Sequence, residues 1–342
     1  MKVSVVILNW NGCDMLRTFL PSVVRYSEGE GIEVCVADNG STDASVTLLQ
    51  QEFPSVRTIV LDQNYGFADG YNLALQQVDA EYVVLLNSDV EVTEHWLEPM
   101  IAYLDKHPEV AACQPKIRSQ RQKEYFEYAG AAGGFIDKYG YPFCRGRIME
   151  VVEKDEGQYD TVIPVFWATG AALFIRRVDY VNVGGLDGRF FAHMEEIDLC
   201  WRLRSRNREI VCIPQSIVYH VGGATLKKEN PHKTFLNFRN NLVMLYKNLP
   251  QEELNKVMRI RICLDYLAAF NFLLQGHWDN ASAVMRARKE YKRLCPSFSL
   301  SREENMRKKR LDLIPERTKN SILWQFYVRG CKRFSQLSDL KG

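Results

Sequence analysis

The sequence predicts a doubly wound α/β fold on a mostly parallel sheet. Short runs rich in Val and Ile are apolar on both faces, as strands of a sheet covered on both sides are. Between them lie segments whose apolar residues recur at helical spacing. The two alternate through the first ninety or so residues, which implies right-handed crossovers between parallel strands.

The strand candidates are residues 3–8, 32–37, 56–61 and 82–86. Met15, Leu16, Phe19, Leu20, Val23 and Val24 mark the first intervening helix, and Val46, Leu48 and Leu49 the second. Residues 116–160 are rich in Gly, Tyr and charge with weak periodicity, and read as a long excursion loop. Order resumes at 162–167 and 171–175, followed by a helix over about 195–205 and a strand near 217–219. After Pro231 the chain reads as almost wholly helical, with Phe235, Phe238, Leu242, Leu245 and Leu249 in one stripe. The expected organisation is therefore a catalytic α/β domain over residues 1–230 and a helical C-terminal region over 231–342.

A chain of 342 residues, 46% hydrophobic and 25% charged, can bury a sizeable core. Its net charge of +2 is unevenly spread: residues 286–319 hold 12 Lys/Arg against 5 Asp/Glu, a local +7 that leaves −5 elsewhere. That stretch is either a solvated face or a hold on an anionic inner leaflet, and no nucleic-acid module accompanies it, so no nucleic-acid partner is expected. Nine scattered cysteines form no C-x-x-C pair, which excludes a zinc knuckle or a disulfide framework and fits a reducing compartment. A strand pattern begins at once, leaving no room for a signal peptide. The most apolar segment, 262–274, is interrupted by Asp265 and Asn271 and is shorter than a membrane span of about 20 residues. It reads as a packed core helix, a partner surface or an interfacial segment. The expected location is cytoplasmic, with peripheral contact at the inner membrane face as the second possibility.

All four strands end in polar turns: Asn9-Trp10-Asn11-Gly12, Asp38-Asn39-Gly40-Ser41-Thr42-Asp43, Asn64-Tyr65-Gly66 with Asn72 beyond it, and Asn87-Ser88-Asp89. Each alone is ordinary turn and capping chemistry. Four at one sheet edge point to a ligand, because open sheets of this kind bind beyond the carboxyl ends of their strands. No G-x-G-x-x-G or P-loop signature is present, and the Gly/Arg-rich opening loop of sugar nucleotidyltransferases is missing. Asp38 can accept from a pyrimidine N3–H and so read a base, and Asp89 can hold a hard divalent ion bridging two phosphates.

The collinear series VSVVILNWNG, VADNGSTD, NYGFADGYNLAL, LLNSDVEV, GGxDxxFF, EEIDLxxRL and HxGGxT resembles the family 2 inverting glycosyltransferases of the GT-A fold. Within them it is similar to rhamnosyltransferase-like members of bacterial polysaccharide assembly, over about residues 1 to 250. The resemblance implies transfer of a sugar from a UDP- or dTDP-sugar to a hydroxyl of a glycan or lipid-linked acceptor, with Mn²⁺ or Mg²⁺ on the diphosphate. It sets Asn87-Ser88-Asp89 at the family's D-x-D motif, with a neutral Asn in first place, so Asp89 becomes the metal ligand and His220 its partner. Asn9, Asn11, Asp38, Asn64, Gly66, Asn72, Asn87, Ser88, Asp89 and Arg239 fall on the nucleotide-sugar side. The family's base falls on Glu196, where Glu stands in place of Asp and Glu195 is an alternative. The other reading of Glu195, Glu196 and Asp198 is that they are acids favoured by a helix N-terminus. Trp167 and Gly170 border the implied acceptor pocket; Gly170 allows close approach, and Trp167 either stacks on a sugar or belongs to the core. Asp187 either binds hydroxyls or caps a turn, and Arg239 lies near the diphosphate or is structural. The rival reading is a nucleotide-sugar-binding assembly subunit without turnover, for which Asn87 and Glu196 are the supporting departures.

Overall fold

The computed structural model describes residues 1–222 and 230–340. Its main sheet contains β1 (Val3–Asn9), β2 (Ile32–Asn39), β3 (Arg57–Leu61), β4 (Tyr82–Asn87), β5 (Val90–Val92), β6 (Val110–Ser119), β11 (Ile163–Pro164), β12 (Ala172–Arg176) and β13 (Glu209–His220). A smaller sheet contains β7 (Gly134–Ile136), β8 (Pro142–Cys144), β9 (Arg147–Ile148) and β10 (Val151–Val152). The helices are α1 (Cys13–Tyr26), α2 (Ser45–Glu52), α3 (Gly66–Gln76), α4 (Glu98–Lys106), α5 (Arg177–Asn182), α6 (Glu195–Ser205), α7 (Pro231–Asn248), α8 (Gln251–Leu274), α9 (Trp278–Leu294), α10 (Ser299–Lys308) and α11 (Ile322–Tyr327).

The main sheet runs β3-β2-β1-β4-β12-β6-β13-β11, with β5 paired to β13. Among its strands only β5, β11 and β12 oppose the common direction, so the sheet is mostly parallel. Alternate residues of β1 serve opposite faces, as a period of two requires. Val3, Val5 and Ile7 join Leu16 and Leu20 of α1, Leu48 of α2 and Met100 of α4. Val6 joins the other core, with Tyr71 of α3, Ile197 of α6 and Leu242 of α7. From β1 the chain steps to β2 and β3, then returns through α3 to β4 on the other side of β1. That reversal opens a crevice beyond the ends of β1 and β4.

Two segments depart from the expectation. Residues 116–160 are not a structureless excursion: they include the end of β6 and the antiparallel β7–β10 sheet, with Phe135, Ile136, Phe143 and Ile148 buried. Strands of two or three residues are too short to print an alternation. β13 has 12 residues, far beyond the predicted 217–219, because its register shifts between Ile213 and Ile217 and the bulge hides the period.

The C-terminal helices share the main core through Met244, Leu245, Ile322 and Phe326. Buried ties reinforce this: Arg204 Nε donates to Glu316 Oε2 at 3.1 Å, and Ile322 N to Asp137 Oδ2 at 3.0 Å. Among the described residues no helix is long and apolar enough to cross a membrane.

The small sheet lies tightly against Trp167, whose Nε1 donates to Phe135 O at 2.9 Å. A methyl group on Gly134 would come within 2.1 Å of Trp167 Cε2. Gly134→Ala is therefore expected to lower stability by about 1–3 kcal/mol, the usual cost of overpacking. Urea denaturation checks it; an unchanged midpoint would mean that the ring moves aside freely.

Candidate active site

The tips of β1 and β2 are cross-tied by short polar side chains. Asn9 Nδ2 donates to Asp38 Oδ2 at 3.1 Å, and Asp38 Oδ1 accepts from Ser41 N at 2.9 Å. Asn11, at φ 49°, accepts from Thr42 N at 2.8 Å through Oδ1, which fixes the two loops against each other. Asn9 Oδ1 is buried, without a partner among the described residues, and lies against Gly12, where a β-carbon would come within 2.4 Å. The same β-carbon would be 3.7 Å from Ser88 Oγ, so the β4–β5 turn stands beside this pair. Asp38 and Asn39 are buried.

Asn64 Oδ1 accepts from Gly66 N at 2.8 Å and from Asn39 Nδ2 at 3.1 Å. Gly66, at φ 75°, leaves room for the Phe191 ring, which a β-carbon would meet at 2.7 Å. Asn72 faces the protein: Oδ1 accepts from Tyr180 Oη at 2.7 Å and Leu186 N at 3.1 Å, and Nδ2 donates to Leu186 O at 2.8 Å. These contacts make it a clamp on the loop before α6.

Asp89 and His220 come together from 131 positions apart because β5 pairs with the end of β13, His220 opposite Val90. Asp89 Oδ1 and His220 Nε2 are 3.1 Å apart, and Asn87 Nδ2 is 3.5 Å from the same nitrogen. Behind the ring, Glu127 Oε2 lies 3.5 Å from Nδ1. Burial alone would lower the His220 pKa; Asp89 and Glu127 more than reverse this and push it up to about 10. A carboxylate and an imidazole suit a divalent ion, and two adjacent ligands at about 2.1 Å on an octahedral ion are themselves about 3.0 Å apart. The pair therefore fits a divalent cation. No group of three or more such ligands forms among the described residues, so water and phosphate oxygens would complete the shell. Residues 223 and 225 of the HxGGxT motif lie outside the described residues.

The loop before α6 is strained. Phe191, His193 and Met194 have φ of 67°, 69° and 72°, conformations that cost non-glycine residues about 1–3 kcal/mol each. Asn240, buried in α7, holds it: Nδ2 donates to Phe190 O, Ala192 O and His193 O at 3.0, 2.8 and 2.8 Å. Arg239 adds a bond to Phe190 O at 2.9 Å. The loop delivers Glu195 and Glu196 to the first turn of α6. Burial raises the pKa of both, and the Glu196 charge raises Glu195 further. Among the described residues, each retains one buried Oε2 without a partner. Asp198 differs from them: it accepts from Arg202 Nε at 2.9 Å, Lys247 Nζ at 2.7 Å and Asn248 Nδ2 at 2.8 Å, and is structural.

Of the expected acceptor residues, Gly170 stands at the site: its β-carbon would be 3.7 Å from Glu196 Cβ and 3.2 Å from the Phe67 ring. Trp167 is a core residue. Asp187 accepts from Arg189 Nε at 2.8 Å and Lys247 Nζ at 2.7 Å; burial opposes its charge, but these two cations hold its carboxyl well below the usual range. Glu127 was not singled out by the sequence; Asn240 stands with Arg239 on the helix that the resemblance sets near the diphosphate, not as the holder of this loop. Glu127 lies in the segment read as a loop, and Asn240 announces itself only by adjacency to Arg239.

The profile of glycosyl transferase family 2 matches residues 4–177. An N-acetylglucosaminyl-diphospho-decaprenol L-rhamnosyltransferase of Mycobacterium tuberculosis is 27% identical over 230 residues, 63% of this chain and 75% of that protein. Rhamnosyltransferase WbbL of Escherichia coli is 25% identical over 163 residues, 46% of this chain and 61% of its own length. Among solved structures, S. aureus TarS 1-349 in complex with UDP-GlcNAc aligns with TM-score 0.53 and 16% identity, over 90% of this chain and 89% of that one. Mannosyltransferase PcManGT from Pyrobaculum calidifontis, in complex with GDP-Man and Mn²⁺, aligns with TM-score 0.51 and 12% identity, over 90% and 84%. At these identities the structural likeness is one of fold.

A raised carboxyl pKa favours the folded state while the group is protonated. The Glu195 contribution is thus complete below its ordinary value of 4.5 and is lost as pH rises through the raised one. Glu195→Gln is expected to raise the melting temperature over wild type at pH 8 and to change it little at pH 4. Equal shifts at both pH values would show that the native carboxyl does not titrate in that window.

Proposed function

The chain belongs to glycosyl transferase family 2, and from that premise we propose an inverting transfer with Glu196 as the base. The donor is a UDP- or dTDP-sugar, and the acceptor a hydroxyl of a glycan or lipid-linked glycan in cell-surface polysaccharide assembly. The observation that carries this is the Glu196 carboxylate: half-buried, beside Gly170, with an oxygen that no group among the described residues satisfies. Buried polar atoms ordinarily find partners; here the acceptor hydroxyl supplies one. Burial raises the basicity of the carboxylate toward the range where proton transfer at neutral pH is efficient.

In this reading Asp38 accepts from the pyrimidine base, with Asn9 and Ser41 fixing its orientation, while Asn11, Asn64 and Ser88 shape the nucleotide cleft. The acceptor oxygen attacks the anomeric carbon as the bond to the phosphate oxygen breaks on the opposite face, and Glu196 takes the acceptor proton. Asp89 and His220 would hold a divalent ion, Mn²⁺ or Mg²⁺, which when bound supplies neutralisation of charge on the departing diphosphate. Glu127, behind the His220 ring, orients it as outer carboxylates commonly do. Residues 1–230 carry this machinery, and the helical region 231–342 supports it through Asn240 and Lys247. The reaction belongs on the cytoplasmic side. A binding subunit without turnover is the competing reading, favoured by the neutral Asn87 and the two-residue cation pair.

Glu196→Gln is expected to leave donor affinity nearly unchanged while transfer falls by about 10²- to 10⁴-fold, the usual contribution of a positioned base. Release of nucleoside diphosphate measures the transfer. Wild-type turnover indistinguishable from the variant would favour the binding subunit. Asp89→Ala is expected to abolish Mn²⁺-stimulated donor binding in calorimetry, and unaltered Mn²⁺ dependence would remove Asp89 as a ligand.

A further inference from the structure

Helix α8 has the sequence of a helix that ought to be covered. Apart from Asp265 and Asn271, its C-terminal half is apolar around the helix, a pattern expected of a buried segment. Among the described residues only the inner side is covered, by Ala281 and Val284 of α9 and Phe238 of α7 packing around Ala269. Leu267, Phe270 and Leu274, with Trp278 opening α9, are 62%, 57%, 71% and 70% exposed. At 3.6 residues per turn, the exposed apolar positions from Ile260 to Leu274 fill an arc of about 160°, with Asn271 at its edge. A groove of ≈ 390 Å³, lined by Tyr266, Phe270, Leu273, Trp278 and Met285, continues the face onto α9. Contiguous exposed apolar surface of this kind marks a place of interaction.

The charges say with what. Asp265, the acid of this half of α8, is buried and receives Arg261 Nε at 3.1 Å together with Arg288 of α9. Among residues 254–293, Lys256, Arg259, Arg286, Lys289, Lys292 and Arg293 are exposed, against Asp279 as the exposed acid. Glu290 is half-buried and paired with Arg293. A second copy of the chain, docked about a two-fold axis, would bring one basic collar against the other. Anionic headgroups would match the collar, and a Trp and a Tyr beside an apolar face suit the headgroup level of a membrane.

We propose that the outer face of α8 and the apex of α9 dock the protein onto an anionic lipid bilayer, with α8 lying in the interface. Phe238 packs against the inner side of this face, and Thr234 Oγ1 accepts from Asn280 Nδ2 at 2.8 Å. The residues after Phe238, Arg239 and Asn240, hold the loop that presents Glu196. The docking face and the loop that presents the base are thus tied to one helix, α7, and in this proposal docking holds the enzyme at the surface that carries a lipid-linked acceptor. This purpose rests on the lipid-linked reading of the acceptor; the docking itself does not.

The test is cosedimentation of the full chain with acceptor-free vesicles of phosphatidylcholine, with and without phosphatidylglycerol. Binding is expected on the anionic vesicles, several-fold above the neutral ones. Phe270→Asp/Leu274→Asp should lower the partition coefficient by about tenfold or more, since it places charge in the buried face. Arg286→Glu/Lys289→Glu should remove the preference for anionic lipid. Both double variants should retain the wild-type circular dichroism and turnover on a water-soluble acceptor, since the altered side chains are exposed. Absence of binding, or binding that the Asp variant leaves intact, overturns the proposal. So does a lipid-free dimer, seen by sedimentation velocity, that the same variant dissociates. A wild-type chain that turns over but does not bind the vesicles speaks against docking alone, and one that binds them without any turnover speaks against the transferase reading alone.

Discussion

The ammonium of Lys247 is buried between Asp187 and Asp198, at 2.7 Å from each, and the geometry around α6 depends on it. Asp198 also takes Arg202, which reaches on to Val183 O and Gly185 O at 2.6 and 2.7 Å. Asp187 caps the short turn that begins at Gly188. One charge thereby fastens α7, α6 and the loop between α5 and α6. Removing one member of such a set leaves an unmatched buried charge, a loss of about 3–5 kcal/mol. The arrangement specifies position more than it adds stability, since buried ion pairs barely offset their own desolvation.

Position is what the strained loop needs. Three positive-φ residues raise its energy locally, and the three carbonyls that Asn240 binds offset that cost. Asn240 and Lys247 lie two helical turns apart on α7, so one rigid element holds both the loop and the helix that follows it. Glu195 and Glu196 are presented at the junction, where burial disfavours their charge. The helix N-terminus, which favours negative charge, partly compensates.

The parallel half of the sheet was legible because its strands carry their burial in composition: apart from Ser4, β1 and β4 are apolar up to their closing asparagines, and the polar residues begin where the strands end. Helix α6 was legible for a related reason, since its acids and arginines bracket an apolar stretch. Glu127 was not, because its meaning lies in contact with His220, 93 positions away: it lies outside the named strands, its N–H donates to Ile117 O of β6, and the end of β6 pairs with the end of β13. Trp167 could have been either a platform or core, and only the flush packing of Gly134 decides it. Asp198 looked equivalent to Glu195 and Glu196 in sequence. Its separate role comes from Lys247 and Asn248, which no local pattern connects to it.

Asp89 and His220 sit on a main-chain ladder: Val90 pairs with His220, and Val221 N donates to Asp89 O at 3.1 Å. Their separation is set by backbone bonds closed during folding, and the freedom lost in bringing them together is charged to folding, not to binding. A ligand received between them meets side chains already ordered, so its association should carry little of the unfavourable entropy that a loop-borne pair would impose. The same rigidity limits the pair, because an ion of different radius cannot be followed by a shift of either strand without breaking the ladder. At the cation site proposed above, discrimination between ions would therefore be a property of the sheet, transmitted to two side chains that only report it.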